Sequence, residues 1–375
     1  MANIEKSDGK QQLIFILEYA SVIGGMLHSV LSLINQIHQV FEIVIICPEG
    51  ELAELMKTKK IKVITIGRSN DWQSKRFFKR TKLLLSLFTT IKKVTQSNSI
   101  VITNNIYSQL LVSICSYFIK FKLIYFNRGG DLSNSISKLV ILLSSHLNLV
   151  ITTSANQKSI VDASALTRKG AKCLVLSNPV EKIAQTSWHM ENEKCFSIGI
   201  VGYIDEGKNQ LLAVEALSKL IQNNYNLRLY IYGEANNRAY LQLLHNKINE
   251  LNISEYVTFE GFTKNKSEIY SKIDLLLSTS VSEGFGRTLV EAMLAKKPVV
   301  ALHTAGGPKD IIVSDKYGLL VDNNIDSVAG AIERFLTDSC YKESVIKHAY
   351  DFASYTFAPE AIASKFITII KDEVL

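Results

Sequence analysis

The sequence predicts an α/β fold of two doubly wound parallel sheets in tandem, and three observations lead to that prediction. The chain of 375 residues is too long for one compact core and fits two domains. Short unbroken apolar runs, typical of strands buried on both faces, alternate with helix-length segments. This alternation stops in a polar interval at 181–194 and then starts again, which places a domain boundary there.

The first domain is predicted over residues 1–180. Its first strand is the apolar run 13–17, which is followed by Gly24, Gly25 and a helical pattern. Its other strand candidates are 43–47, 61–66, 100–103, 123–126, 149–152 and 174–176. We expect a parallel sheet with helices on both faces.

The second domain is predicted over residues 181–356. Its strand candidates are 197–201, 227–232, 257–260, 275–278, 299–302 and 318–321. A last amphipathic helix within 357–375 has no strand after it, and we expect it to pack back on the first domain. Two such sheets in tandem place a cleft at the carboxyl ends of their strands.

Composition excludes several classes of protein. With 47% apolar and 21% charged residues, the chain is typical of a folded globular protein rather than a disordered one. The five cysteines lack metal-ligand spacing and are interpreted as reduced thiols. Residues 1–10 lack the apolar core of a signal peptide, and no apolar run is long enough to span a membrane. We therefore expect a cytoplasmic location.

Charge is distributed unevenly along the chain. Residues 1–180 hold 22 Lys or Arg and 10 acidic residues, which indicates an anionic partner. Residues 72–93 form a basic helix with a broad apolar side, which either faces the core or binds an anionic membrane surface at the inner face of the plasma membrane. No stacking motif accompanies the charge, so we expect no nucleic-acid partner.

The motif with the most candidate ligand-binding residues is Ser-Glu-Gly-Phe-Gly-Arg-Thr-Leu-Val-Glu at 282–291, between a predicted strand and a predicted helix. Backbone amides of such a glycine loop, with the positive end of the helix, suit a phosphate. Glu291 lies about two turns into the helix and can accept hydrogen bonds from sugar hydroxyls, and Glu283 can point into the same cleft. An ordinary turn with two surface glutamates fits the local pattern equally well.

Other loops follow strands at the same predicted sheet end. Lys208 lies near the start of a helix, where it can neutralise a diphosphate leaving group or simply be solvated. Gly202 and Gly233 follow two neighbouring strands, and Gly306 begins a further turn. In the first domain, the Gly24 pair is not a Gly-x-Gly-x-x-Gly fingerprint, which argues against a nicotinamide cofactor.

These motifs together resemble the retaining glycosyltransferases of the large bacterial family 4, which have the GT-B fold of two facing Rossmann-like domains. The resemblance covers the whole chain and is strongest over residues 261–322. It is carried by Glu283 and Glu291 with seven residues between them, by Lys297-Pro298-Val299-Val300, by Gly306-Gly307 and by Gly318-Leu319-Leu320-Val321. It implies hexosyl transfer from a nucleoside diphosphate-sugar, here a UDP-sugar, to a saccharide or lipid-linked saccharide acceptor in surface polysaccharide (capsule) biosynthesis.

The resemblance also implies roles for individual residues. Glu283 would contact the donor sugar near its anomeric centre, and Lys208 would bind the diphosphate as the second catalytic residue. The implied donor-binding residues are Gly24, Gly25, Gly202, Gly233, Gly284, Phe285, Gly286, Arg287, Thr288 and Glu291. Asn127 and Arg128 are candidate phosphate or acceptor contacts. No cofactor and no metal are implied, and no Asp-x-Asp occurs in the chain.

Two departures from the family pattern keep other functions open. Tyr203 stands where the family commonly has an arginine, and residues 125–131 lack a histidine that the family often carries. Arg287 or Arg128 is then the candidate for the missing positive charge. The alternatives are a weak or inactive glycosyltransferase-like partner subunit that binds the acceptor, and a sugar-nucleotide epimerase of the same fold.

Overall fold

The computed structural model describes residues 9–21, 24–72, 77–128, 132, 135–164, 166–167, 170–183, 195–303 and 305–375. The chain divides into two compact units, one of Met1–Pro179 with Pro359–Leu375 and one of Val180–Ala358. Each unit contains a parallel sheet with helices, of seven strands in the first and six in the second. The predicted fold class is therefore confirmed.

The first unit has seven strands in the order β3-β2-β1-β4-β5-β6-β7. The strands are β1 Gln12–Ile16, β2 Glu42–Cys47, β3 Lys62–Thr65, β4 Ile100–Thr103, β5 Lys122–Asn127, β6 Leu147–Thr152 and β7 Lys172–Val175. The helices between them are α1 Gly25–Ile37, α2 Glu51–Thr58, α3 Ser69–Trp72, α4 Phe77–Val94, α5 Ile106–Ser116, α6 Ser135–Leu143 and α7 Ala155–Ala163.

Strand β1 shows why these strands are unbroken apolar runs in the sequence. Successive side chains of a strand point to opposite faces of the sheet. Leu13 and Phe15 enter the core on the side of α1 and α2, while Ile14 and Ile16 enter the core on the side of α4 and α5. Because helices cover both faces, every residue of β1 must be suited to burial.

The second unit has six strands in the order β10-β9-β8-β11-β13-β15, and β12 pairs separately with β14. The strands are β8 Phe196–Val201, β9 Leu227–Tyr232, β10 Val257–Gly261, β11 Leu275–Ser278, β12 Ser282–Glu283, β13 Val299–Leu302, β14 Ala305–Gly306 and β15 Leu319–Val321. The helices are α8 Gln210–Gln222, α9 Arg238–Glu250, α10 Lys266–Lys272, α11 Arg287–Leu294, α12 Pro308–Ile311, α13 Ile325–Thr337 and α14 Ser339–Thr356.

The strand order of the second sheet marks where a ligand fits. Strand β8 pairs with β9 on one side and with β11 on the other, so successive connections leave it in opposite directions. Open parallel sheets bind ligands at such a switch point, outside the carboxyl ends of the strands. The loops that follow β8 and β11 are the ones that carry Lys208 and Glu283.

The last helix, α15 Pro359–Glu373, packs in the core of the first unit. Its buried face contains Ile362, Phe366 and Ile370, and the Phe366 ring stacks on Phe126 of β5 with centroids 6.0 Å apart. Before this helix, in the second unit, Val180 N donates to the carbonyl of Phe357 at 2.9 Å.

The predicted basic helix at 72–93 is found as α3 and α4, while Lys75 and Arg76 lie outside the described residues. Trp72 is buried, and its Nε1 donates to the carbonyl of Ile66 at 2.9 Å. Trp72 therefore does not contribute to an exposed surface. One side of α4 also faces the core, because Leu83, Leu87 and Ile91 are buried. In the part of the chain that the structure describes, no helix is both long and apolar enough to cross a membrane.

Candidate functional site

Lys208 and Glu283 meet at the carboxyl edge of the second sheet. Lys208 lies between β8 and α8, and Glu283 belongs to the short strand β12 that follows β11. The Lys208 Nζ lies 2.6 Å from Glu283 Oε2, and the two side chains keep 29% and 23% of their surface exposed. The structure thus brings the two predicted catalytic residues together as an ion pair that a solute can still reach.

The backbone around Lys208 is fixed from both sides. Lys208 N donates to Asp205 Oδ1 at 3.0 Å, and Thr279 Oγ1 donates to the Lys208 carbonyl at 2.9 Å. Val281 N donates to the carbonyl of Gly207 at 3.0 Å. These bonds tie the loop after β8 to the loop after β11, so the Lys208 side chain starts from a held position.

Gly202 and Gly233 lie at the ends of neighbouring strands. Gly202 N donates to the carbonyl of Tyr232 at 2.9 Å. A Cβ placed on Gly233 would lie only 1.9 Å from the Gly202 carbonyl oxygen, so a larger residue cannot be accommodated there. Glycine at position 233 therefore lets the two strand ends approach closely, beside the Lys208 side chain, whose Cε lies 3.4 Å from a Cβ built on Gly202.

Glu283 is braced by a pairing that the sequence did not reveal. In the two-stranded sheet, Glu283 is opposite Gly306, and Gly307 N donates to the Glu283 carbonyl at 2.9 Å. A Cβ on Gly306 would lie 2.2 Å from that carbonyl oxygen. The Gly306-Gly307 pair was predicted as a tight turn, and its second effect is to let β14 approach the backbone that carries Glu283.

Glu291 is buried in a network of three donors. Its Oε1 lies 2.5 Å from Lys266 Nζ and 2.8 Å from Arg287 Nε, and its Oε2 accepts from Tyr270 OH at 3.1 Å. A carboxylate offers about four acceptor positions, so about one stays available for an incoming hydroxyl. Two positive charges beside this carboxylate offset the cost of burying it.

Two members of this network were missed by the sequence reasoning. Lys266 and Tyr270 lie on α10 with a spacing of four residues, which places them on one face of that helix. Burial and the neighbouring Glu291 raise the pKa of Tyr270 well above its ordinary value, so its hydroxyl remains a donor. The only sequence signal was the i, i+4 spacing on a short helix, which is too common to identify a site.

The glycine loop between Glu283 and α11 is anchored in the core. Phe285 is buried, with its ring edge-on to Phe357 at 5.6 Å. Gly286 caps α11 in the left-handed region at φ 91°, and the Thr288 carbonyl accepts from Tyr270 OH at 3.2 Å. The Phe285 side chain therefore fixes the loop, and any contact of Gly284 or Phe285 with a ligand must be made by backbone.

Two helices at this edge begin without a side-chain cap. No cap hydrogen bond forms at Asn209 before α8 or at Gly286 before α11. Most other helices of the unit have a side-chain cap, from Asn237 at α9, Asn265 at α10, Asn324 at α13 and Asp338 at α14, whereas the short α12 also begins without one. The helix dipole and first amides of α8 and α11 are thus suited to an anionic group.

Four of the predicted site residues, Gly24, Gly25, Asn127 and Arg128, belong to the first unit. Gly24 caps α1 at φ 98°, and Gly25 is the first residue of that helix. Asn127 ends β5 and is buried. Arg128 bonds to Asn178 Oδ1 and places its guanidinium 4.8 Å from the Phe126 ring centroid.

Glu18 is a buried carboxyl that the sequence reasoning did not single out. It follows β1, and its Oε1 accepts from Ser108 N, in the first turn of α5, at 2.6 Å. Burial raises the pKa of Glu18 to about 7, although the hydrogen bonds from Ser108 oppose that shift. Burial, followed by the charge of Glu18, raises the pKa of neighbouring Tyr19, against the opposing effects of Asn105 and Arg128.

The arrangement in the second unit fits a ligand with a phosphate and several hydroxyls. It combines a lysine, two uncapped helix starts and two carboxylates at the switch point of a parallel sheet. Among the described residues, no group of three or more His, Cys, Asp or Glu is placed to hold a metal ion. Two such parallel-sheet units define an architecture of the GT-B type.

Comparison with known families agrees with this class. Residues 185–352 match the family model "Glycosyl transferases group 1". The match lies within the second unit, which contains Lys208, Glu283 and Glu291. Over these residues the second unit is therefore similar to the group 1 glycosyltransferases.

Two of the relatives that match this chain are named as bacterial glycosyltransferases. The chain is 27% identical over 192 residues to poly(ribitol-phosphate) alpha-N-acetylglucosaminyltransferase of Staphylococcus aureus, a match to 50% of this chain and 37% of the relative. It is 29% identical over 232 residues to N-acetylgalactosamine-N,N'-diacetylbacillosaminyl-diphospho-undecaprenol 4-alpha-N-acetylgalactosaminyltransferase of Campylobacter jejuni, covering 60% of this chain and 61% of the relative. The chain thus spans less than two thirds of either relative.

Solved structures match over nearly the whole chain. HepE of Anabaena, in complex with UDP and glucose, superposes with a TM-score of 0.79 at 19% identity and covers 96% of this chain and 100% of its own. Sucrose-phosphate synthase of Thermosynechococcus elongatus gives a TM-score of 0.78 at 16% identity, with 96% and 98% covered. At these identities the likeness establishes the fold.

Proposed function

We propose that this protein is a retaining glycosyltransferase that moves a sugar from a nucleoside diphosphate-sugar to a hydroxyl of a saccharide acceptor, as a step in building a bacterial surface glycan. The observation that supports it most is the 2.6 Å contact between Lys208 and Glu283 at the switch point of the second sheet. The family match over residues 185–352 supports the same reaction class.

In this proposal, Lys208 stabilises the departing diphosphate. Cleavage of the sugar–phosphate bond leaves negative charge on the leaving phosphate oxygens, and a held cation lowers the energy of that state. The uncapped starts of α8 and α11 supply amide dipoles for the same charge. Positioning and charge stabilisation account for most of what this chemistry asks of a protein.

The two glutamates have different tasks in the proposal. Glu283, partly exposed, accepts hydrogen bonds from hydroxyls of the donor sugar once the ligand phosphate competes for Lys208. Glu291, buried and held by three donors, uses its remaining acceptor position for a ribose hydroxyl of the nucleotide. Because three donors hold its carboxylate in place, Glu291 fixes the position of the nucleotide.

The relatives suggest which substrates to test. The two relatives described above are named for transfer of N-acetylglucosamine and N-acetylgalactosamine, the second with an undecaprenol-linked substrate. HepE was solved with UDP. We propose a UDP-activated hexose or N-acetylhexosamine as donor and a polyol-phosphate or lipid-linked saccharide as acceptor, with no metal needed for turnover.

A non-catalytic subunit that binds a glycan is the second candidate. It is favoured by Tyr203, an exposed neutral residue where the family commonly has an arginine. It is also favoured by Arg287, whose Nε bonds to Glu291. In that case nucleotide-sugars would not be consumed, although a saccharide could still bind.

The test is release of UDP from UDP-N-acetylglucosamine, UDP-N-acetylgalactosamine and UDP-glucose, with and without undecaprenyl diphosphate-linked saccharide, before and after EDTA treatment. Acceptor-dependent UDP release that is lost in Glu283→Gln is expected, and NMR of the product then reads the anomeric configuration. No UDP release with any donor would leave the binding subunit as the better account. Conversion of donor without acceptor would identify an epimerase instead.

A further inference from the structure

The outer side of the first unit combines exposed apolar side chains with an almost acid-free sequence. From residue 72 to residue 161 the chain contains twelve Lys or Arg and a single acidic residue, Asp131. Helices α4, α5 and α6 come from this stretch, and they pack side by side on the face of the sheet opposite to α1 and α15. Their outward surface is called the α4–α6 face below.

Helix α4 supplies the centre of this face. Leu83, Leu87 and Ile91 repeat at a spacing of four and are buried against the sheet. Phe78 and Leu85, seven residues apart, lie on the opposite side of the helix and are 85% and 65% exposed. Helix α4 therefore has two apolar sides, of which only one is used by the core.

The basic residues of α4 surround the exposed apolar pair. Lys82 falls between Phe78 and Leu85 on the same side of the helix, and Lys92 and Lys93 continue that side toward its end. All three lysines are exposed. Ammonium groups on long stems beside a phenylalanine and a leucine match a surface that is anionic outside and apolar underneath.

The neighbouring helices extend the same character. Helix α5 has no charged residue, and Phe118 and Lys120, just beyond its end, are exposed. Phe118 meets Phe88 of α4 edge-on at 6.1 Å, which joins the two helices at the surface. On α6, Leu142 is 64% exposed and shares its side with exposed Lys138.

We infer that the α4–α6 face docks on an anionic lipid bilayer, with Phe78 and Leu85 in the acyl boundary and the lysines at the headgroups. Charge complementarity selects this occupant, because α4, α5 and α6 contain no Asp or Glu that an anionic surface would repel, and the nearby Asp71 carboxylate is paired with Lys79 at 3.0 Å. Exposed leucines, which do not stack on bases, argue against a nucleic acid. The inference does not depend on glycosyl transfer, and it moves the membrane-binding surface away from Trp72, which is buried.

The test is sedimentation of the full chain with vesicles of phosphatidylcholine alone and with vesicles containing one third phosphatidylglycerol. Each lysine close to an anionic surface contributes roughly a factor of five to binding, so Lys82→Ser, Lys92→Ser and Lys93→Ser together should weaken it on the order of a hundred-fold. Phe78→Ser with Leu85→Ser should weaken it at least ten-fold, because their apolar area no longer leaves water.

A matched control removes three exposed lysines from the second unit, as Lys264→Ser, Lys316→Ser and Lys347→Ser. It changes the net charge equally and should bind vesicles like the wild type. Thermal unfolding midpoints of all variants verify that they fold. Equal loss in the control, equal binding to neutral vesicles, or wild-type binding by the Phe78 and Leu85 variant would each overturn the inference. All of these readouts are independent of turnover, so the proposed reaction can fail without affecting them.

Discussion

Lys208 Nζ lies 2.6 Å from Glu283 Oε2, although 75 residues separate them in the chain. The loops after β8 and β11 bring them together, and hydrogen bonds from Thr279 and Val281 hold those loops against each other. A pair with this much exposure adds little to stability, because water screens it and long side chains lose freedom in forming it. The fixed positions of Lys208 and Glu283 are therefore better explained by a role in ligand binding and catalysis than by a contribution to the stability of the fold.

Replacing Lys208 by methionine should separate these two explanations. We expect Lys208→Met to lower kcat by about 100- to 1,000-fold, the usual loss when a fixed charge at the leaving group is removed. The free energy of unfolding should change by only about 1 kcal/mol or less. Steady-state UDP release and urea denaturation measure the two quantities.

Lys219 provides the control for that experiment. It pairs with Asp326 at 2.5 Å on the surface of the same unit, away from the switch point of the sheet. Lys219→Met removes an ion pair of the same type and should leave kcat unchanged. If both variants lose activity equally, or if Lys208→Met keeps full activity, Lys208 does not act on the leaving group.

Glu291 should be sensitive in a different way, because it is buried among Lys266, Arg287 and Tyr270. Glu291→Gln leaves two cations without their carboxylate and should cost roughly 3 kcal/mol of unfolding free energy. It should also remove most of the rise in Tm that UDP produces in the wild type. Thermal shift with and without UDP measures both effects.

Tyr270→Phe is the companion variant. It removes the hydroxyl shared by Glu291 and the Thr288 carbonyl and keeps both ion pairs, so we expect a loss of about 1 kcal/mol of unfolding free energy and a UDP-dependent shift like that of the wild type. An unchanged UDP shift in Glu291→Gln would contradict the role proposed for Glu291 as the nucleotide contact.

The sequence predicted the sheets well because the burial of each strand is visible in the residues of that strand alone. Strands β1 and β11 are covered on both faces, so burial makes them unbroken apolar runs that can be recognised without any partner. The ends of strands were less well placed, as β6 begins at Leu147 rather than at the predicted residue 149. Strand ends depend on neighbouring strands, which a local pattern does not contain.

The site was predictable only in part, for the same reason. Glu283 and Glu291 stand in a recognisable local motif, whereas the partners Lys266 and Tyr270 lie 25 and 21 residues from Glu291. The pairing of β12 with β14 involves two residues on each side, too few to leave a periodic pattern. For the helix predicted at 72–93, a core-facing and a membrane-binding role were both left open, because hydrophobicity and charge do not reveal which side of a helix is buried; the structure shows that Trp72 is buried.

Gly306→Ala tests the brace behind Glu283. The added methyl would lie 2.2 Å from the Glu283 carbonyl oxygen, so β14 must move away from β12. We expect a loss of roughly 1–3 kcal/mol of unfolding free energy and at least a ten-fold loss of kcat, because Glu283 shifts relative to Lys208.

Gly330→Ala, in α13, is the matched control because a Cβ there meets no atom within 4 Å. It should stabilise the protein by about 0.5–1 kcal/mol, since alanine favours a helix over glycine, and should leave kcat as it is. Full activity of Gly306→Ala would mean that the β12–β14 pairing does not position Glu283.

The stability of the first unit should depend on pH through Glu18. Burial raises the pKa of Glu18 to about 7, so between roughly pH 4.5 and 7 the folded state holds a proton that the unfolded state has lost. The unfolded state then binds fewer protons, and stability falls as pH rises through this window. A shift of this size corresponds to roughly 3 kcal/mol, lost in full only above pH 7.

Glu18→Gln should remove this dependence, because an amide keeps an acceptor for Ser108 N but does not ionise. Urea unfolding is measured at pH 5, 6, 7 and 8 by the fluorescence of buried Trp72, in a Trp188→Phe background. The stability of Glu18→Gln relative to the wild type should increase as pH rises. Glu49→Gln, at an exposed position of the same unit, is the control and should show a much smaller change. A constant difference between wild type and Glu18→Gln across this range would mean that Glu18 is ionised in the folded protein throughout, with its burial offset by the first turn of α5.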